Sequence, residues 1–177
     1  MSPESPKPTE EKIVSLVRLV EILQLKRSEG KKIGLITGAF DIIHRGHISL
    51  FRFAKDNVDI LAIGVEQDET VTLSKGQNRP INRLADRCEF LSELNSVDYI
   101  FAVPFVFQYG AFEKADEQFA EIYRQLMPDF LITNVNADSF WQLKKKRAQE
   151  LGILFLGQYT PRLTSSSSIA DRIQEEI

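Results

Sequence analysis

The chain reads as an α/β protein of the Rossmann-like, doubly wound kind, with a five-stranded, mainly parallel sheet flanked by helices. Three observations predict this. Apolar runs and helical-period segments alternate along the chain. The runs are continuous rather than alternating, as suits strands buried on both faces of a parallel sheet. Each run is followed by a helical segment, the order that winds a parallel sheet.

Residues 1–8 (MSPESPKP) hold three prolines and little to bury, and are expected to be a disordered tail ahead of one domain spanning 9–177. Thr9 is placed to cap a first helix, with Glu10 and Glu11 at its positive end. Ile13, Leu16, Val17, Val20 and Leu23 keep its helical spacing, and Gly30 ends it. Strands are expected at 33–37, 58–65, 97–103, 129–133 and 153–156, and helices near 46–56, 82–95, 111–126, 138–151 and 166–176. In such sheets a ligand sits outside the carboxyl ends of the strands. The informative residues should therefore follow Thr37, Val65, Val103 and Thr133.

Composition narrows the classes. Twenty-two Lys and Arg against 25 Asp and Glu leave the 177-residue chain at −3, too even for a polybasic nucleic-acid arm or an acidic tail. One cysteine, Cys88, excludes a disulfide framework and any multi-thiolate metal site. No apolar run approaches the roughly 18 residues that cross a bilayer. Prolines and carboxylates stand where a signal peptide would be apolar, so the expectation is a cytoplasmic protein without nucleic-acid or membrane partners.

The first strand runs into Thr37-Gly38-Ala39-Phe40-Asp41-Ile42-Ile43-His44-Arg45-Gly46-His47. Gly38 permits a tight turn, and Gly46 lets a ligand approach the backbone. A helix is expected to start near Gly46, so His44 and His47 project from one side of it beside free N–H groups, an anion site. These are the only two histidines in the chain. Two imidazoles there suit phosphoryl or nucleotidyl chemistry, donating to phosphate oxygens in the transition state. Zinc is the rival reading, but it lacks a third ligand.

GAFDIIHRGHISL resembles the signature of the nucleotidyltransferase superfamily that includes cytidylyltransferases and related adenylyltransferases, in which His-x-Gly-His follows Gly-x-Phe-Asp. The resemblance implies in-line attack of a substrate phosphate or hydroxyl on the α-phosphate of a nucleoside triphosphate. Pyrophosphate is released, and Mg2+ neutralises charge. By that match His44 and His47 contact the triphosphate, in a cradle of Thr37, Gly38, Ala39, Phe40 and Gly46. Asp41 is expected to bond loop amides.

Two further stretches resemble the family. Lys75-Gly76-Gln77-Asn78-Arg79-Pro80-Ile81-Asn82, with Arg87 on the next helix, is similar to the heptose-1-phosphate adenylyltransferases. Lys75, read as lying in a flexible loop, then joins the catalytic set, and Arg79 and Arg87 contact phosphate. Thr164 to Ile169 is similar to the serine-rich stretch before the family's final helix, matching Ser165, Ser166 and Ser167 as anion contacts, with Arg162 nearby. Asp68 matches an acidic position and is either a helix cap or a nucleotide contact.

The pattern departs after the fourth strand. Where sugar-phosphate adenylyltransferases place a Lys-Gly-x-Asp-like turn, this chain has Thr133-Asn134-Val135-Asn136-Ala137-Asp138. The segment Pro104 to Met127 is long and aromatic, and it suits an acceptor pocket, a subunit contact or plain core. Lys144 to Arg147 reads as a solvated helix face, Cys88 and Trp141 as packing. The preferred expectation is transfer of AMP from ATP to a sugar phosphate by a possible homodimer. The alternatives are CMP transfer from CTP to an alcohol phosphate such as glycerol phosphate, an FMN-adenylating enzyme, a metal-dependent hydrolase, and a non-catalytic nucleotide sensor.

Overall fold

The computed structural model describes residues 9–110, 112–161 and 164–175. The expected tail and Arg162 lie outside them. Five strands, β1 (Ile33–Gly38), β2 (Ile60–Val65), β3 (Tyr99–Ala102), β4 (Phe130–Asn134) and β5 (Leu154–Gln158), form one sheet in the order β3-β2-β1-β4-β5. Every neighbouring pair is parallel. The winding reverses between β1 and β4, so the ligand-binding crevice of this topology opens beside the end of β1.

Both faces of the sheet are covered, which explains the continuous apolar runs. Ile33, Leu35, Ile60, Ala62 and Phe101 join one apolar cluster with Leu19, Leu23 and Tyr123. Their strand neighbours Ile36, Leu61, Ile63 and Ile100 join the other with Phe51, Cys88 and Leu91. Successive side chains thus point to opposite faces, and each face has its own core.

The helices are α1 (Thr9–Lys12), α2 (Leu16–Ser28), α3 (Arg45–Lys55), α4 (Asp68–Lys75), α5 (Leu84–Ser92), α6 (Phe112–Leu126), α7 (Trp141–Glu150) and α8 (Ser166–Glu175). Two departures from the sequence reading have local causes. The first helix is split, because Ile13 pairs with Ile100 at the edge of β3 and the Val14 N–H donates to the Ile100 carbonyl at 2.9 Å. Ser15 then starts a new helix, its hydroxyl accepting from the Arg18 N–H. Thr9 lies inside α1 and donates to Glu93 instead of capping.

The second departure is α4, which replaces the expected flexible loop. It is short and buries only Thr70 and Val71, too few positions to show a period. Asp68 and Glu69 occupy its first turn, and Lys75 is its last residue. Helix α5 also begins later than expected, because Asn82 is engaged by Asp41.

Gly64 in β2 shows how closely this core is packed. A β-carbon there would stand 2.8 Å from Phe101 Cζ and 3.1 Å from Thr37 Cγ2. Phe101 is fully buried and cannot swing aside. Gly64→Ala should therefore lower stability by about 1–3 kcal/mol through overpacking, seen as a lower urea midpoint with an unchanged slope; an unchanged midpoint would contradict it.

Candidate active site

The turn after β1 is built around a buried carboxylate. Asp41 is 1% exposed. Its Oδ1 accepts from the backbone N–H groups of Ile81 (2.8 Å) and Asn82 (3.0 Å), and its Oδ2 accepts from Arg79 Nη1 at 2.8 Å. The other face of Arg79 donates to the Ser166 carbonyl at 3.3 Å. Asp41 and Arg79 together join the β1 turn, the 76–83 loop and the start of α8. Asp41 thus has the backbone-bonding role expected of it.

Phe40 takes a left-handed backbone (φ 52). Its ring lies beneath His47 (5.2 Å, edge-on) and against Phe51 (5.6 Å). His44 is the N-cap of α3, and its Nδ1 accepts from the Gly46 N–H at 3.2 Å. Because Nδ1 is an acceptor, a neutral His44 carries its proton on Nε2, the nitrogen turned away from the helix. Gly46 is required sterically, since a β-carbon there would lie 3.0 Å from His44 Cε1.

His47 stacks on His44 with ring centroids 3.8 Å apart and planes 17° apart. Burial, then the positive potential of His44 and Lys75, pull its pKa down to about 3. Its Nδ1 has no hydrogen-bond partner among the described residues. A charged imidazolium would need acceptors for both N–H groups, so the geometry and the charge agree on a neutral ring.

These histidines face a cavity of about 460 Å³ at the carboxyl end of the sheet. The structure brings Thr37, Gly38, Ala39, Phe40, His44, Gly46, His47, Lys75, Ser165 and Ser166 into its lining. Lys75 reaches it from the end of α4 rather than from a loop, and burial pulls its ammonium below the usual lysine range. Ser165 Oγ accepts from the Ser168 N–H at 3.1 Å, capping α8. Ser167 lies in α8, with its side chain outside the description.

Asp68, Arg79 and Arg87 stand behind the lining. Arg87 is fully buried. Its guanidinium donates to the carbonyls of Ala39 and Glu66 and to Asp68 Oδ1, the last at 2.8 Å. Arg79 is consumed by Asp41 and Ser166. Arg79 and Arg87, expected to contact phosphate, are not among the lining residues and brace the β1 turn and the end of β2. Asp68 is a salt-bridge partner in α4.

The lining also holds Lys144, Arg147, Glu66 and Tyr109, none of them named as site residues from the sequence. Lys144 and Arg147 are not on a solvated face. Lys144 pairs with Asp138 at 2.8 Å and donates to the Thr37 carbonyl at 3.3 Å, beside the reversal between β1 and β4. Burial opposes its charge, but Asp138 outweighs burial and holds the ammonium above the usual range. Arg147 is 4% exposed, pairs with Asp116 and lies over the Phe119 ring. Half-buried Leu143 and buried Ala148 mark the inward side of α7, and that spacing could have placed both cations inward. Glu66 and Tyr109 occupy the predicted edge positions after β2 and β3, Tyr109 in the aromatic segment that suits an acceptor pocket.

Residues 35–169 match the family model described as cytidylyltransferase-like. The chain belongs to the cytidylyltransferase-like family. The bifunctional protein HldE of Desulfatibacillum aliphaticivorans is 33% identical over 141 residues, covering 80% of this chain and 27% of that protein. HldE of Sulfurimonas denitrificans is 32% identical over 133 residues, 75% of this chain and 26% of that protein. The chain thus spans about a quarter of the length of these curated relatives. Among solved structures, a lipopolysaccharide core biosynthesis protein from Thermoplasma volcanium superposes with a TM-score of 0.51 at 25% identity, over 72% of this chain and 94% of that one. Pantothenate synthetase from Thermus thermophilus shares the fold, with a TM-score of 0.63 at 16% identity over 87% of this chain and 63% of that one. The family match runs through both histidines, Lys75 and the serines at the start of α8. The chain is therefore an enzyme domain of the nucleotidyltransferase type.

The folded pKa of His47 lies below the unfolded value, so its neutral form stabilises the fold. That contribution is complete above pH 6.5 and is lost as pH falls toward 3. Imidazole NMR at pH 5, assigned with His44→Gln and His47→Gln, should show a neutral His47. A His47 resonance titrating near 6.5 would refute its burial.

Proposed function

We propose that this chain transfers AMP from ATP to a sugar phosphate, releasing pyrophosphate. The observation that carries the reading is the stacked His44–His47 pair at the start of α3, facing a cavity lined also by the cations Lys75, Lys144 and Arg147. Donors at a helix N-terminus and nearby ammonium groups match the charge of a triphosphate. The resemblance of Lys75 to Asn82 to heptose-1-phosphate adenylyltransferases supports a sugar phosphate as acceptor.

In this mechanism an acceptor phosphate oxygen attacks the α-phosphorus. The new P–O bond forms as the bond from the α-phosphorus to the α,β-bridging oxygen breaks, and that oxygen leaves with pyrophosphate. A dianionic acceptor phosphate has no proton to surrender, so no general base is needed. His44 Nε2–H donates to phosphate oxygens as charge shifts toward the leaving group. A neutral His47 supports its partner without adding a proton that could be lost. Lys75 and the α8 serines steady the β- and γ-phosphates, while Asp41, Arg79 and Arg87 hold the loops that carry these groups.

Mg2+ belongs to the proposal as the ion accompanying the triphosphate. Among the described residues no group of three or more His, Cys, Asp or Glu side chains could hold a metal ion. Glu66 and Asp138 are already engaged by Tyr109 and by Lys144 with Thr133. This suits an ion held chiefly by phosphate oxygens and water. When bound, it neutralises phosphate charge. Among the described residues no helix is long and apolar enough to cross a membrane.

Pyrophosphate release should depend on both ATP and a sugar phosphate, and His44→Ala or His47→Ala should each lower kcat by about 10²–10³-fold. The assay should pair ATP, CTP, GTP and UTP with sugar and alcohol phosphates. Preference for CTP with glycerol phosphate would transfer the reading to the cytidylyl branch. Nucleotide binding without release from any pair would indicate a sensor.

A further inference from the structure

We propose that Glu66 and Tyr109 form a subsite for the hydroxyl groups of the acceptor, so that the acceptor is a polyhydroxylated phosphate rather than a simple alcohol phosphate. This rests on the transferase reading above and names the group that selects its second substrate.

The cavity has two chemically different ends. Around α3 it presents imidazoles, Lys75 and serine hydroxyls. At the carboxyl end of β2 it presents Glu66, a side chain only 6% exposed yet part of the same lining. An ionised carboxylate repels phosphate, and Glu66 already accepts a hydrogen bond through Oε2. Whatever reaches Glu66 must therefore bring donors. Burial holds the Glu66 carboxyl above the usual carboxylate range, and a further cation here would meet the ammonium groups of Lys144 and Lys75. Neutral hydroxyls satisfy both conditions.

Tyr109 completes the arrangement. Its hydroxyl donates to Glu66 Oε2 at 2.5 Å, leaving its oxygen lone pairs for a second donor from the ligand. Its ring lies 5.7 Å from Phe107 and 5.4 Å from Phe140, and all three line the cavity. This wall offers apolar surface for the C–H faces of a sugar, with a polar tip beside it.

The tyrosine is held in place from α4. The backbone N–H groups of Phe107 and Tyr109 donate to Thr70 Oγ1 (3.1 Å) and Ser74 Oγ (3.2 Å). The helix that ends in Lys75 thus also fixes the segment carrying Tyr109. One rigid element sets the spacing between a phosphate-binding cation and the hydroxyl-binding pair. The pair comes from the β2–β3 side of β1, while Asn134, Ala137 and Thr160 line the β4–β5 side, which leaves that second side for the nucleoside.

The test is calorimetric binding to the full chain, with Mg2+ and α,β-methylene-ATP present. The probes are hexose and heptose 1-phosphates, with glycerol 3-phosphate and inorganic phosphate as comparisons. At least one sugar phosphate should bind more tightly than glycerol phosphate. Glu66→Gln and Tyr109→Phe, which keep shape, should each weaken it about tenfold or more while shifting affinity for the ATP analogue less than twofold. Thermal melts would verify that both variants fold. Sugar-phosphate affinity unchanged in both variants, loss of analogue affinity instead, or failure of the wild type to bind any sugar phosphate would each overturn the subsite. A wild type that binds with this dependence but releases no pyrophosphate with ATP or CTP would overturn the transferase reading and leave the subsite standing.

Discussion

The site depends on the burial of one carboxylate, Asp41. At 1% exposure it has exchanged water for two backbone N–H groups and a guanidinium, donated by a segment some 40 residues away. Taking such a charge out of water is costly, and breaking a buried pair leaves an uncompensated charge worth about 3–5 kcal/mol. The turn after β1 therefore has one arrangement rather than several. From that turn the chain enters α3 with His44 as its cap, and through Arg79 the same carboxylate reaches the start of α8.

Electrostatic roles divide cleanly around this anchor. Arg79 and the terminal nitrogens of Arg87 donate to carbonyls and carboxylates in the wall, so they fix geometry. Lys75 and Lys144 face the cavity and supply its charge. Lys144 matters because the turn after β4 carries no lysine. The ammonium arrives instead from the first turns of α7, aimed by Asp138, which Thr133 and the Phe140 N–H hold in turn. A buried His47 that stays neutral keeps a further positive charge from accumulating beside Lys75.

Much of this was legible in order along the chain. All five strands stand where the apolar runs put them; burial on both faces explains the continuous runs of β1 to β4, while the edge strand β5 buries only Gln158. The His-x-Gly-His stretch announced its position, since a strand, a glycine turn and a helix start are local events. Helix α4 was not legible. Its eight residues bury too little to create a period. The break at Ile13 and Val14 depends on β3, nearly 90 residues later.

The sequence by itself determined the fold class, the places of the strands and the residue types of the motif after β1, because each is written in the periodicity or spacing of neighbouring residues. Tertiary structure decided which charges work in the cavity and which hold it together. Arg87 and Lys144 are both cations on helices, and nothing local separates them. Arg87 meets the Ala39 and Glu66 carbonyls and disappears into the wall. Lys144 meets Thr37, 107 residues away, and lines the cavity. A charge takes its role from the partners that desolvate it, and those partners exist only once the sheet has closed.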